Sequence, residues 1–163
     1  KQMAAALQYL KEHQLFEYDD LAAKTDAATE LFHTLAGDIQ QTEVELSRVS
    51  DLMAAVVQYA KTRPAFDGYK AAKYSRKYLA EHEAVLADYR AAKATMAELL
   101  GGEKLPKMDV LKEKRRQLAA RKKALYLEYR KAQQDMRELV AVKGSVDHLR
   151  GLTDNQRNKE QAR

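Results

Sequence analysis

The chain has 163 residues, 29 of them basic and 24 acidic, for a net charge of +5, with no Cys and no Trp. The lack of Cys excludes disulfides and thiolate metal sites, and no apolar run approaches the roughly 20 residues a bilayer span requires. With two Pro, six Gly and 33% charged residues, the chain reads as a single helical module whose core is a seam rather than a broad globular interior.

Residues 1–13 carry Leu7 and Leu10 on one apolar face and read as the end of a preceding helix, and Gln14, Leu15 and Phe16 read as a connector. Asp19 and Asp20 then stand where acids stabilise a helix start. From there Leu21, Thr25, Ala28, Phe32, Leu35, Ile39, Thr42, Leu46, Val49, Met53, Val56 and Ala60 recur with unbroken 4-3 spacing, the pattern of a coiled-coil seam. A first long helix is expected over 19–62, stopped by Arg63-Pro64.

A helical cap is expected over 64–103. Pro64 to Ala72 reads as a short helix, and Ser75 reads as the N-cap of another that runs to Leu100 and stops at Gly101-Gly102. Lys104, Leu105 and Pro106 turn the chain into a second long helix, 107–149. In it Leu111, Leu118, Leu125, Ala132, Leu139 and Val146 repeat every seven residues. The interleaved row contains Arg115, Lys122 and Lys143, whose stems can lie along a seam while their charges reach outward. Residues 150–163 read as a polar tail that can extend the helix. The expected fold is all-α, a long antiparallel two-helix coiled-coil hairpin with a smaller helical cap.

Charge is unevenly spread. Residues 1–60 hold 4 basic and 10 acidic side chains, residues 61–131 hold 19 and 9, and residues 132–163 hold 6 and 5. In the basic middle, Lys112, Lys114, Arg115, Arg116, Arg121, Lys122, Lys123, Arg130 and Lys131 crowd the second long helix. Lys73, Arg76 and Lys77 stand in the cap among Tyr69, Tyr74 and Tyr78. Such a field attracts phosphates with salt-sensitive affinity and little base readout, and exposed Tyr rings can stack on single-stranded bases. Set against this, charge runs often do no more than solvate a face, and Tyr at helical spacing often belongs to a core.

Catalytic and metal signatures are missing. His13, His33, His82 and His148 are scattered, and there is no His-Glu-x-x-His, phosphate-binding Gly loop or Gly-x-Ser-x-Gly. Glu81 and Glu83 flank His82, but adjacent residues do not face each other on a helix. No cofactor, metal site or enzyme activity is expected of this chain. No secretory leader is legible, and a cytoplasmic location is expected. Starting at Lys1 with its first Met at position 3, the chain is expected to be part of a longer protein.

Several stretches resemble a known family. Tyr59-Ala-Lys-Thr-Arg63, Tyr69-Lys-Ala-Ala-Lys-Tyr-Ser-Arg-Lys-Tyr-Leu-Ala-Glu-His-Glu83, Lys104-Leu-Pro106, Tyr129-Arg-Lys-Ala132 and Met136-Arg-Glu-Leu139 are similar to the C-terminal helical region of relaxases. These are the mobilization nucleases of conjugative elements in Gram-positive gut bacteria. The resemblance spans roughly residues 11–149 and implies a role in conjugative DNA transfer. In that family a separate N-terminal domain nicks DNA with a Tyr nucleophile and a His-held metal, and neither maps onto this sequence. The implied role is non-catalytic contact with DNA, without sequence specificity. The alternative is a docking or oligomerisation coiled coil that engages secretion-machinery or accessory proteins, or a second copy as a homodimer. No membrane contact is expected.

Overall fold

The computed structural model describes residues 1–12 and 17–162, with Leu10, Lys11 and residues 152–156 described by backbone alone. His13 and the connector at Gln14, Leu15 and Phe16 lie outside the described residues. The fold is all-α: α1 (Gln2–Glu12), α2 (Tyr18–Ala71), α3 (Arg76–Glu81), α4 (Glu83–Leu100) and α5 (Met108–Gln161). The chain forms two compact units, the first from Lys1–Gln40 with Lys123–Arg163 and the second from Gln41–Lys122. Among the described residues no helix is long and apolar enough to cross a membrane.

In the first unit the N-terminal part of α2 pairs antiparallel with the C-terminal part of α5. Leu21 at the start of α2 is buried with Leu139 and Val142 of α5, and Ala6 of α1 closes the same cluster. Further along, Phe32 stacks on Tyr129 at 4.9 Å between ring centres. The inward face of α1 is Ala6 and half-buried Tyr9, whereas Leu7, expected on the apolar face, is 60% exposed. Leu7 follows Ala6 by about 100° around the helix, so with Ala6 turned into the cluster it faces away from it.

In the second unit α2, α4 and α5 converge. Val49, Leu52 and Met53 of α2 pack with Leu111 and Leu118 of α5, and Met96, Leu99 and Leu100 at the end of α4 pack against them. The expected seam is buried or half-buried from Leu21 through Val56, and Ala60 is exposed. From Leu52 onward a second 3-4 row runs along α2, formed by Leu52, Ala55, Tyr59, Thr62 and Phe66. Tyr59 and Phe66 of this row stack on Tyr89 of α4 at 5.2 and 4.3 Å. A helix with two partners must bury two stripes.

Pro64 does not end the helix at Thr62: α2 runs through it to Ala71. Proline removes one N–H and crowds the carbonyl four residues back, which belongs to Ala60. Both Ala60 and Pro64 are exposed, so the carbonyl left without its helical partner is on the solvent side. Beyond the proline, tertiary contacts hold the helical turns. The Phe66–Tyr89 stack is one, and the Tyr78 hydroxyl donating to Ala65 O at 2.8 Å is another.

The rest of the cap follows its punctuation in part. Ser75 caps α3, accepting from Tyr78 N at 3.4 Å. The single helix expected from Ser75 to Leu100 is split at His82, which leaves helical geometry with φ −122° and ψ 25°. There the His82 ring stacks on Tyr78 at 3.9 Å, and its Nδ1 lies 3.0 Å from Tyr78 O. Gly101 ends α4 in the left-handed region, φ 55°, a conformation glycine adopts without strain. Arg48 of α2 donates to Leu99 O at 3.4 Å, placing a cation at the negative end of α4. The tail expected beyond 149 continues α5 to Gln161.

Polar groups on the seams are satisfied locally. Thr25 donates to Leu21 O at 2.7 Å and Thr62 to Gln58 O at 2.8 Å. Each hydroxyl returns to the preceding turn, so threonine can occupy a buried position. Among the described residues no buried side-chain nitrogen or oxygen lacks a partner.

Candidate nucleic-acid interface

The net charge of the chain is concentrated in one unit. The second unit has 17 basic and 11 acidic residues, a balance of +6, while the first has 12 and 13, a balance of −1. Lys112, Lys114, Arg115, Arg116 and Arg121 of α5 belong to the second unit and are exposed. Helical geometry sorts them into two groups. Lys112, Arg115 and Arg116, related by three and four residues, form one row. Lys114 and Arg121, seven apart, lie on the other flank of the buried Leu111–Leu118 stripe.

Lys122 differs from the other cations. It is half-buried at a seam position, and its Nζ lies 3.5 Å from Glu43 of α2. Among the described residues it makes the only ion pair joining two helices, since Arg63–Asp67, Arg116–Glu113 and Lys143–Asp147 each lie within one helix. Acids of α2 therefore leave most of the α5 cations unneutralised. Arg116 reaches Glu113 with two bonds, 2.9 Å from Nε and 2.6 Å from Nη2. This holds the Glu113 carboxyl below its usual range and the Arg116 guanidinium above its own. Among the described residues Lys112, Lys114, Arg115 and Arg121 make no ion pair.

Lys73, Arg76 and Lys77 are exposed around the turn joining α2 to α3. No acid occurs between Gly68 and Ala80, while Lys70, Lys73, Arg76 and Lys77 do. The turn has an unusual backbone: Lys73 and Tyr74 both have positive φ, 54° and 60°. Periodicity and motif do not show this strain; its one signal in the sequence is that no glycine stands between the Ala71-Ala72 helix end and the Ser75 cap, so ordinary residues must make the reversal.

Lys123, Arg130 and Lys131 fall in the first unit and are exposed there. That unit also has an open groove of about 900 Å³ between α1 and α5, lined in part by Met3, Ala6, Tyr9, Val142 and His148. His33 is exposed and His82 is occupied by Tyr78. Among the described residues no three His, Asp or Glu side chains converge on a point that could hold a metal ion.

No family model matches the chain, and neither a curated protein nor a solved structure matches it.

Proposed function

We propose that this chain is a non-catalytic helical module of a conjugative relaxase that grips DNA phosphates in the cytoplasm through the basic surface of its second unit. The observation carrying this reading is the exposed row Lys112, Arg115 and Arg116 in a unit with a balance of +6, where α2 neutralises only Lys122 among the α5 cations. Among the described residues Lys112 and Arg115 of this row have no acid partner, while Arg116 is paired with Glu113. Exposed unpaired cations release counterions from a nucleic acid, and that release supplies affinity without sequence preference. The relaxase assignment rests on the sequence resemblance, and the phosphate-gripping role rests on the charge distribution.

Fluorescence anisotropy of labelled DNA at two salt concentrations tests the reading. The dependence of log K on log salt should steepen by about 0.9 for each phosphate neutralised on duplex DNA. Reversal of Lys112, Arg115 and Arg116 to Glu should weaken binding and flatten that slope. Absence of binding at low salt would remove the proposal.

A second reading is a docking role toward transfer-machinery proteins or another copy of the chain. It draws on the open groove of the first unit and the exposed Met3 and Leu7 on α1. It predicts association that survives the three charge reversals, measured by sedimentation velocity.

A further inference from the structure

The turn between α2 and α3 is a helix stop made in a costly way. Tyr74 N–H donates to Tyr69 O at 3.0 Å and Lys73 N–H to Lys70 O at 2.9 Å, the paired bonds of a Schellman cap. The position that closes such a cap is usually glycine, because a left-handed residue with a Cβ costs about 1–2 kcal/mol. Here two consecutive side-chain-bearing residues take it, Lys73 at φ 54° and Tyr74 at φ 60°. Glycine at 73 would make the same bonds without strain. The cap alone therefore does not account for a cation and an aromatic ring at these positions, and strained backbone of this kind is a pointer to function.

Those conformations display Tyr74 at the end of an aromatic ladder. The residue is 58% exposed, and its ring meets Tyr69 at 5.2 Å between centres in an edge contact. Tyr69 stacks on Tyr78 at 5.9 Å, and Tyr78 on His82 at 3.9 Å. The inner rungs are fixed, because the Tyr78 hydroxyl donates to Ala65 O at 2.8 Å and Gly68 leaves room for that ring to sit against α2. Tyr74 is thus a largely exposed residue whose ring touches an anchored stack edge-on. Lys73 and Arg76 flank it closely in sequence, with Lys70 and Lys77 one step further out and no acid from Gly68 to Ala80.

We infer that this corner is a base-stacking platform, so that the nucleic acid the second unit takes is single-stranded, with an unpaired base on Tyr74 and its flanking phosphates on Lys73, Arg76 and Lys77. The inference rests on the nucleic-acid reading above and adds the strand state and the residue that selects it. A base inside a duplex has both faces covered by its neighbours, whereas an unpaired base has a face to offer. Stacking of this kind tolerates any sequence. It involves no contact with the sugar, so DNA and RNA single strands are equivalent ligands for the platform.

The test is anisotropy of the full chain with a labelled mixed-sequence DNA single strand, the same sequence as RNA, and the DNA strand annealed to its complement. Tyr74→Ala should lower affinity for both single strands on the order of tenfold and leave the duplex unaffected, while Tyr74→Phe retains binding. Irradiating the wild-type complex with a 5-iodouracil single strand should cross-link the tryptic peptide spanning residues 74–76, a readout independent of how the variants fold. If Tyr74→Ala binds single strands like the wild type, or the cross-link falls elsewhere, the platform is overturned. Weakening by the Lys112, Arg115 and Arg116 reversals would then still support the phosphate-gripping reading. Failure of the wild type to bind any of the three ligands overturns both.

Discussion

The Tyr18 hydroxyl donates to Asp147 Oδ1 at 2.5 Å, joining the first turn of α2 to α5 within the first unit. Lys143 Nζ takes the other carboxylate oxygen at 3.0 Å, and the Arg150 guanidinium lies 3.9 Å above the Tyr18 ring. The phenol hydrogen bond, and after it the Lys143 ammonium, hold the Asp147 carboxyl below its ordinary range. A carboxyl lowered in the folded state contributes stability above its unfolded value and loses it as pH falls through the folded one. Tyr18→Phe should therefore lower the thermal midpoint at neutral pH, and the difference from wild type should shrink in acid below the ordinary carboxylate range of about 4. Thermal melts across that range check this, and a difference independent of pH would assign the loss to packing.

Pro64 sits inside a helix that neighbouring contacts hold together. Replacing it with Ala restores an N–H to the Ala60 carbonyl and removes the ring that crowds it. Because Pro64 is exposed, nothing is lost from the core. Pro64→Ala should stabilise the protein by about 1–3 kcal/mol, measured by urea denaturation.

Gly68 lies on α2 where Ala would normally be the better helix former by about 1 kcal/mol. A Cβ at this position would overlap the Tyr78 hydroxyl, whose hydrogen bond to Ala65 O ties α3 to α2. Gly68→Ala should therefore destabilise the wild type. In a Tyr78→Phe background the same change should cost less, because the hydroxyl it displaces is gone. The coupling from this double-mutant cycle is the quantity to measure.

Lys73→Gly should relieve the left-handed strain at that residue (φ 54°) while keeping both cap bonds. The expected result is a gain of about 1 kcal/mol in chemical denaturation, with the helical circular dichroism signal unchanged. A loss of stability would show that the Lys73 side chain makes a compensating contribution.

Sequence periodicity carried much of the fold. The 4-3 run beginning at Leu21 is the stripe that α2 turns toward α5, and of the seven-residue repeat on α5 Leu111, Leu118, Ala132 and Leu139 are buried while Leu125 and Val146 are half-buried. Lys122 and Lys143 also fill their seam positions as their long stems allow, each half-buried with its ammonium on an acid. The second row on α2, running from Leu52 through Ala55, Tyr59 and Thr62 to Phe66, was equally visible as spacing. It was masked because it overlaps the first seam and crosses a proline. A local rule stops a helix at Pro64, but the stacking of Phe66 on Tyr89, 23 positions later in sequence, outweighs it.

The candidate interface divides in the same way. Composition alone located the basic residues, since charge is a property of the chain. Which of them are available depended on the partners brought across from other helices. Glu43 of α2 takes Lys122, whereas Arg115, at another seam position of the same row, stays exposed. The ladder from Tyr74 to His82 combines an i, i+4 pair with contacts across a turn between helices, and only the i, i+4 pair can be read from spacing. The sequence by itself determined the all-α class, the antiparallel pairing of two long helices and the placement of positive charge, because these follow from periodicity and residue type. Only tertiary structure decided where α2 ends, which cations stay unpaired and how Tyr74 is displayed, because each is a competition between local preference and contacts made by residues distant in the chain.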